Sequence, residues 1–241
     1  MAAKNSVKQY LESGYYHLYN RGVEKREIFL DKQDYFVFLS YLKQYLIPKN
    51  ELELLQKIGD KNLPYVQKDK YIKMLKLNNF YGEIYLLAFT LMPNHFHLLL
   101  KQSSSNTIDK FMNSLCTRYS MYFNKKYKRV GRLYQDVYKA VLVESNEQLL
   151  HLSRYIHRQA ISPQSPQADP LQGWHPLQGW QEMQPTSFSE YLGLRNTPWL
   201  FPDEILSFFS KENSQLSYES FVKQNDEFER INKLMIEVAE E

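Results

Sequence analysis

The sequence predicts an α+β fold of the ferredoxin-like, split βαβ type, with an antiparallel sheet and a C-terminal helical extension. Segments rich in aromatic and aliphatic residues alternate with segments of helical periodicity in the order β-α-β-β-α-β, and a further helix follows. That order is the split βαβ plan, in which helices cover one face of an antiparallel sheet. With 43% hydrophobic and 24% charged residues among 241, the chain can bury a core.

The first strand and the first helix come early in the chain. Residues 15–22 (YYHLYNRG) have strand composition and end in a turn at Gly22. Residues 31–46 carry apolar side chains at near-helical spacing, and Pro48 is expected to stop that helix. Residues 49–78 are rich in lysine, and we interpret them as a partly helical insertion.

A central hairpin is predicted next, and its second strand carries two histidines. Residues 82–92 form a strongly apolar strand, and Pro93-Asn94 is a turn that leads into the histidine strand. Because side chains alternate between the faces of a strand, His95 and His97 share one face in the interior of the sheet. Two such imidazoles could hold a metal ion. They could equally be satisfied by backbone carbonyls or lie at the surface.

The second half of the domain is predicted as a helix over 107–126, a strand over 133–143 and a closing helix over 146–160. Ser145 and Asn146 are both candidates for the cap of the closing helix. At 3.6 residues per turn, this helix lines up three polar side chains on one face, His151, Tyr155 and Gln159. A catalytic metal site usually has three protein ligands, so a third group must join the two histidines.

The C-terminal third changes character. Residues 161–187 are rich in Pro and Gln and contain the repeat PLQGW at 170–174 and 176–180, which we interpret as a linker enlarged by a local duplication. Residues 188–241 are predicted to form a helical, acidic extension. The predicted organisation is therefore a domain over 1–160, a linker and this extension.

Composition and charge limit the class of partner. The one cysteine, Cys116, excludes an intramolecular disulfide and a multi-cysteine zinc site. No apolar signal region begins the sequence and no run reaches about 18 apolar residues, so we expect a cytoplasmic protein. Residues 203–241 hold ten acidic and four basic residues, a balance of −6, which leaves +9 for residues 1–202. A basic body, in a chain with 19 Tyr and 14 Phe, suits a polyanion with unpaired bases, although many solvated surfaces are equally basic.

Five motifs stand out along the chain: Asn20-Arg-Gly22, Pro93-Asn-His-Phe-His-Leu-Leu-Leu100, Tyr122-Phe-Asn-Lys-Lys-Tyr127, Gly131-Arg-Leu-Tyr-Gln135 and Ser153-Arg-Tyr-Ile-His-Arg-Gln-Ala-Ile161. Together they resemble the single-tyrosine HUH transposases, and within that class the REP-associated tyrosine transposases and their insertion-sequence relatives. The resemblance covers about residues 14–161. Two positions depart from the pattern: this chain has Tyr-Ile-His-Arg-Gln159-Ala160 where relatives have Tyr-Ile-His-x-Asn-Pro, and Gln135-Asp-Val-Tyr138 where Gln-Gly-Arg-Tyr is common.

The resemblance implies an HUH endonuclease fold and assigns roles to four residues. His95, His97 and Gln159 would hold a divalent metal, Mg or Mn, and Tyr155 would attack the scissile phosphate of single-stranded DNA at hairpin-bearing or palindromic ends. The products would be a 5′-phosphotyrosine and a free 3′-OH. The basic residues predicted to contact DNA are Arg21, Arg118, Lys125, Lys126, Arg129, Arg132, Lys139, Arg154 and Arg158.

Several alternatives stay open at this point. His151 competes with Gln159 for the third ligand position, and Tyr119 and Tyr122 compete as nucleophiles, although their helical spacing favours packing in a core. Histidine and amide ligands alone would also allow Zn, Co or Ni. The same scaffold could serve a catalytically silent DNA- or RNA-binding protein, and the sequence does not decide whether a homodimer forms. An unrelated metallohydrolase would need carboxylate ligands that the sequence does not place.

Overall fold

A computed structural model describes residues 10–161 and 185–224. Its centre is a four-stranded antiparallel sheet with the strand order β2-β3-β1-β4. The histidine strand lies between two neighbours, as predicted, and the α+β class is confirmed. The strands are β1 (Tyr15–Arg21), β2 (Ile84–Met92), β3 (His95–Gln102) and β4 (Lys139–Val143).

The helices follow the predicted order, and the lysine-rich insertion contributes two of them, α2 and α3. No helix in the described ranges is long and apolar enough to cross a membrane. The helices are α1 (Lys32–Leu46), α2 (Glu51–Gly59), α3 (Tyr65–Lys76), α4 (Thr107–Lys126), α5 (Asn146–Ile161), α6 (Phe188–Tyr191), α7 (Asp203–Leu206) and α8 (Tyr218–Lys223).

Side-chain caps fix where helices α1 and α5 begin. The side chain of Asp31 accepts a hydrogen bond from the backbone N–H of Asp34, and the Asp34 carboxylate accepts one in return from the Asp31 N–H, which is a capping box at the start of α1. At the start of α5, Ser145 Oγ accepts from the N–H of Gln148 at 3.2 Å. Of the two predicted caps, Ser145 is therefore the one used.

The last strand is shorter than predicted, because β4 begins at Lys139 and not at residue 133. In the missing part, Tyr134 forms only an isolated bridge with Gly22. The side-chain amide of Asn20 donates to the backbone carbonyl oxygen of Asp136 at 3.2 Å. A side-chain hydrogen bond therefore joins this segment to β1 where backbone pairing was predicted. The prediction of a strand over 133–143 was wrong for its first half.

The described residues divide into two compact units, each built from discontinuous segments. Unit 1 comprises residues 10–14, 31–85 and 102–133, and therefore contains helices α1 to α4. Its core is aromatic. Phe80 and Phe111 meet edge to face at 5.5 Å, and Phe38 meets Tyr119 in the same way at 5.1 Å.

Unit 2 comprises residues 15–30, 86–101, 134–161 and 185–224, and it contains most of the sheet together with α5 to α8. Its core joins strand, helix and C-terminal residues in one apolar cluster that includes Leu99, Ile156, Phe188 and Tyr218. The PLQGW repeat lies outside the described residues. The predicted linear division into a domain, a linker and an extension stays a prediction.

His157 connects helix α5 to the C-terminal segment, which comprises residues 185–224. It is fully buried, its Nδ1 lies 2.7 Å from Tyr218 Oη, and its Nε2 lies 2.8 Å from Ser187 Oγ. Tyr218 in turn donates to Ser153 Oγ at 3.0 Å. Burial lowers the pKa of His157 to about 3, so the ring is neutral at physiological pH. Within the motif at 153–161, Ser153 and His157 therefore serve to pack α5 against the C-terminal residues.

We expect Tyr218→Phe to lower the free energy of unfolding by about 1–3 kcal/mol, because it leaves buried partners of the hydroxyl unsatisfied. Urea denaturation measures the change. The matched control is Tyr65→Phe, at a tyrosine that is 82% exposed, and it should unfold like the wild type. Equal stability of all three proteins would contradict the role given to this cluster.

Candidate active site

The pairing of β1 with β3 assembles the candidate site on one face of the sheet. Tyr19 lies directly opposite His97, and Arg21 lies directly opposite His95. Residues that face each other across an antiparallel pair point to the same side, as do residues two apart in one strand. His17 therefore shares the face of these four side chains.

Helix α5 brings Tyr155 to this face. The ring centroids of His97 and Tyr155 are 5.6 Å apart and their planes meet at 83°. The rings of His95 and His97 are 4.9 Å apart, also edge to face. Three of the four residues that the sequence analysis assigned to catalysis and metal binding thus form one cluster within unit 2.

The fourth residue, Gln159, lies on α5 one turn after Tyr155 and is half-buried. In the described part of the chain it makes no hydrogen bond to either histidine. Its competitor His151 lies one turn before Tyr155, with its ring 5.4 Å from that of Phe221. Within residues 10–161 and 185–224, no three His, Cys, Asp or Glu side chains could hold a metal together, so a site here needs a ligand of another type.

The hydrogen bonds of the two strand histidines leave the same ring atom available on each. Nδ1 of His97 lies 2.8 Å from Nε2 of His17, and Nδ1 of His95 lies 2.5 Å from Oδ1 of Asn94. Nε2 of His97 is buried and has no hydrogen-bond partner in the described structure. Metal-bound histidines characteristically use one ring nitrogen for the metal and the other for such a hydrogen bond. The side chains present therefore fit a divalent cation.

The imidazoles of the site are neutral at physiological pH, as metal ligands must be. Burial lowers the pKa of His95 to about 4, and the positive charge of Arg21 contributes. Burial also holds the pKa of His97 well below its usual value, with smaller contributions from His17, His95 and Arg21. The pKa of His17 is lowered to about 3 by burial.

The phenols of the site are protonated at physiological pH. Burial raises the pKa of Tyr155, and the charge of Arg21 opposes that rise. Burial and the neighbouring Tyr155 raise the pKa of Tyr19. Arg21 is thus the one residue of this cluster whose charge favours both a neutral imidazole and an ionised Tyr155.

The competing tyrosines have structural contacts in unit 1. Tyr119 is fully buried against Phe38, and Tyr122 donates to Asp34 Oδ1 at 2.9 Å. Burial and the Asp34 bond raise the pKa of Tyr122 to about 12. Both tyrosines belong to the packing of α4, as their helical spacing favoured.

Five of the basic residues predicted to contact DNA lie in unit 1, and three of them have partners within the chain. The guanidinium of Arg118 stacks 3.8 Å above the ring of Tyr41. Lys126 lies 2.7 Å from carboxylate oxygens of both Asp31 and Asp34. Arg129 donates to Asn124 at 3.1 Å. The two that are exposed are Lys125 and Arg132.

The other four lie in unit 2. Arg21 belongs to the cluster already described, and Lys139 is exposed with its Nζ 6.0 Å from the ring of Tyr19. Arg154 is 3% exposed and packs over Phe221 at 5.1 Å. Arg158 is half-buried and donates to the carbonyl of Gln224 at 3.3 Å. Of these four, Arg21 lies opposite His95 and Lys139 lies beside Tyr19, so both border the candidate site.

Sequence reasoning missed His17, Tyr19 and Asn94 as members of the site. The only signal was the alternation of His17, Tyr19 and Arg21 along β1, which puts three functional side chains on one strand face. That signal becomes specific only when the partner strand and its register are known. Asn94 was assigned to the turn alone, yet its side chain contacts the first histidine.

One family model matches the chain. Residues 66–159 match the model described as "Transposase IS200 like". This segment is less than half of the chain, and it contains His95, His97, Tyr155 and Gln159. The resemblance drawn from the sequence is confirmed over these residues, and the match supports a transposase. No curated protein sequence matches the chain.

The solved structures that match the chain include two transposase-type proteins. One is a REP-associated tyrosine transposase bound to a REP hairpin, with 9% identity and a TM-score of 0.41; the match covers 65% of this chain and 72% of that protein's chain. The other is a candidate transposase from Deinococcus radiodurans, with 17% identity and a TM-score of 0.27; the match covers 64% of this chain and 97% of that protein's chain. The fold assignment rests on the order and pairing of the strands in the sheet.

Arg21→Gln should raise the pKa of His95 above its value of about 4, because removing a nearby positive charge favours the protonated imidazole. An NMR titration of the His95 ring protons measures the shift. Lys139→Gln, on the neighbouring strand β4, is the control, and it should leave the titration unchanged. A His95 titration that is identical in Arg21→Gln and the wild type would contradict the electrostatic role of Arg21.

Proposed function

We propose that the protein is a metal-dependent transposase that cleaves and rejoins single-stranded DNA at hairpin-bearing ends through a 5′-phosphotyrosine. The observation that carries the proposal is the contact between Tyr155 and His97, whose ring centroids are 5.6 Å apart on the face of the two strand histidines. The family-model match includes all four residues of the proposed site and supports the same activity.

In the proposed reaction the phenol oxygen of Tyr155 attacks the scissile phosphorus. A bond forms between that oxygen and phosphorus, the bond from phosphorus to the 3′-oxygen breaks, and the phenol proton is lost as the 3′-oxygen gains one. A phenol is a weak nucleophile while it is protonated, and burial raises the pKa of Tyr155, which favours the protonated form. The charge of Arg21 counteracts burial by stabilising the phenolate.

The metal would be held by Nε2 of His95, Nε2 of His97 and the amide oxygen of Gln159. Such a cation supplies charge stabilisation to the phosphate oxygens and to the leaving 3′-oxygen. Two imidazoles and one amide would accept several divalent ions, whereas phosphate chemistry and the family resemblance favour Mg or Mn.

Strand exchange by this route needs no nucleotide hydrolysis. One phosphodiester is replaced by another of similar energy, so a free 3′-OH can attack the phosphotyrosine and rejoin the strands. The absence of a P-loop sequence in the 241 residues agrees with this. The exposed Lys125, Arg132 and Lys139 are the proposed contacts to the DNA backbone, whose binding should weaken as salt rises. A cytoplasmic location and a homodimer stay predictions.

Tyr155→Phe should abolish covalent attachment to DNA while hairpin binding persists, because only the attacking oxygen is removed. A labelled single-stranded hairpin oligonucleotide is incubated with Mg or Mn and examined on a denaturing gel. The control is Tyr122→Phe, which removes a hydroxyl that bonds to Asp34 in unit 1 and should still form the adduct.

Two outcomes of that experiment count against the proposal. An adduct in Tyr155→Phe would show that another residue attacks the phosphate. Binding of the hairpin without any adduct in the wild type, under every metal and end tested, would favour the catalytically silent nucleic-acid-binding protein.

Gln159→Leu should weaken Mn binding more than about 10-fold, because the variant has no oxygen to donate, whereas Gln159→Glu should bind at least as well as the wild type. Isothermal titration measures both. His151→Leu is the matched control on the same helix face. If His151→Leu loses the metal and Gln159→Leu keeps it, the third ligand is His151.

A further inference from the structure

His17 is a buried histidine to which the family resemblance gives no role. It is 3% exposed, and its ring lies edge to edge with that of His97, with centroids 5.0 Å apart and planes inclined by 20°. Its ring also stacks on that of Tyr19 at 5.1 Å, and the rings of Tyr19 and His97 are themselves 5.8 Å apart. Its polar contact is the 2.8 Å hydrogen bond between its Nε2 and Nδ1 of His97.

A hydrogen bond between two neutral imidazoles can be made in two ways, because each ring carries one proton on one of its two nitrogens. In the first arrangement Nδ1–H of His97 donates to Nε2 of His17, and Nε2 of His97 presents a lone pair. In the second, Nε2–H of His17 donates to Nδ1 of His97, and the proton of His97 is on its own Nε2.

The surroundings of His97 distinguish these arrangements. Its Nε2 is buried without a hydrogen-bond partner in the described structure, so the second arrangement leaves a buried donor with no acceptor, whereas the first leaves a buried lone pair that a cation could fill. A proton on Nε2 would also block the coordination of a cation. Only the first arrangement leaves His97 competent as a ligand through Nε2.

The neighbouring histidine is fixed in the corresponding tautomer by a different group. Oδ1 of Asn94 can only accept, so the 2.5 Å contact requires the proton of His95 on Nδ1. His17 can donate or accept, and therefore its own tautomer decides that of His97. Burial keeps the pKa of His17 low, so its ring stays neutral and retains one nitrogen as an acceptor.

We propose that His17 is a positioning residue that accepts the Nδ1 proton of His97 and so presents Nε2 of His97, unprotonated, to the divalent cation. The proposal rests on the proposed function, since it concerns the same metal site. His17 itself does not touch the cation through Nε2, because that nitrogen is engaged with His97. Its role is to select one tautomer of its neighbour and hold the ring in place.

Two variants of His17 separate hydrogen bonding from packing. His17→Phe keeps an aromatic ring in the stack and removes the acceptor, whereas His17→Gln supplies an amide oxygen that can accept the proton. The full chain is studied by long-range proton–nitrogen NMR, which reports the tautomer of His97 without metal, and by isothermal titration with Mn. Thermal unfolding verifies that each variant folds.

The wild type is expected to carry the His97 proton on Nδ1. In His17→Phe that proton should move to Nε2, and Mn binding should weaken about 10- to 100-fold, as for other residues that orient a metal ligand. His17→Gln should restore the tautomer and bind Mn within a few fold of the wild type. His95→Ala, which removes a proposed ligand, shows which part of the titration belongs to this site.

Three results would overturn the proposal. They are a wild-type His97 with its proton on Nε2, a His17→Phe protein that binds Mn like the wild type, and a His17→Gln protein that binds no better than His17→Phe. The second result would leave the proposed function standing. If the wild type binds no Mn and forms no DNA adduct, the proposed function fails, and the role in metal binding fails with it. If His17→Phe does not fold, the wild-type tautomer and His17→Gln still decide.

Discussion

The register between β1 and β3 is the constraint on which the candidate site depends. It puts Tyr19 opposite His97 and Arg21 opposite His95. A slip of one residue would send one strand's side chains to the other face, so the histidines and Arg21 would no longer share a face. Gly22, the residue after β1, helps to fix this register. The N–H of Gly22 donates to the carbonyl of Asn94 at 2.8 Å, and a Cβ atom at Gly22 would lie 2.2 Å from a backbone oxygen, so only glycine fits.

Burial then gives the site its chemical character and positions its helix. The same apolar surroundings that keep the imidazoles neutral also keep the Tyr155 phenol protonated, so the proposed attack by Tyr155 needs a positive charge that stabilises its phenolate. Arg21 supplies one such charge within the chain. Helix α5 is held from its far side by the bonds of His157 to Ser187 and Tyr218, which anchor it to the C-terminal segment. The position of Tyr155 therefore depends on residues about thirty and sixty positions away in sequence.

Much of this arrangement could be predicted because short periodicities in the sequence indicate it. The period of two along the histidine strand and the period of 3.6 in the closing helix identified the hairpin and α5, and the motif resemblance joined them. Cross-strand partners are set by the sheet as a whole, so the contact of His17 with His97 had no local signal. The same reason explains the basic residues: Lys126 looked like a free DNA contact, but the fold gives it two carboxylates more than ninety positions away.

The central claim is that the oxygen of Tyr155 becomes covalently joined to DNA, and peptide mapping of the trapped complex tests it most directly. Trypsin should cut after Arg154 and Arg158 and release the four-residue peptide YIHR, in which Tyr155 is the only tyrosine. After nuclease digestion, mass spectrometry should find a phosphonucleotide on this peptide. A phosphonucleotide on a peptide that contains Tyr119 or Tyr122, with YIHR unmodified, would contradict the account.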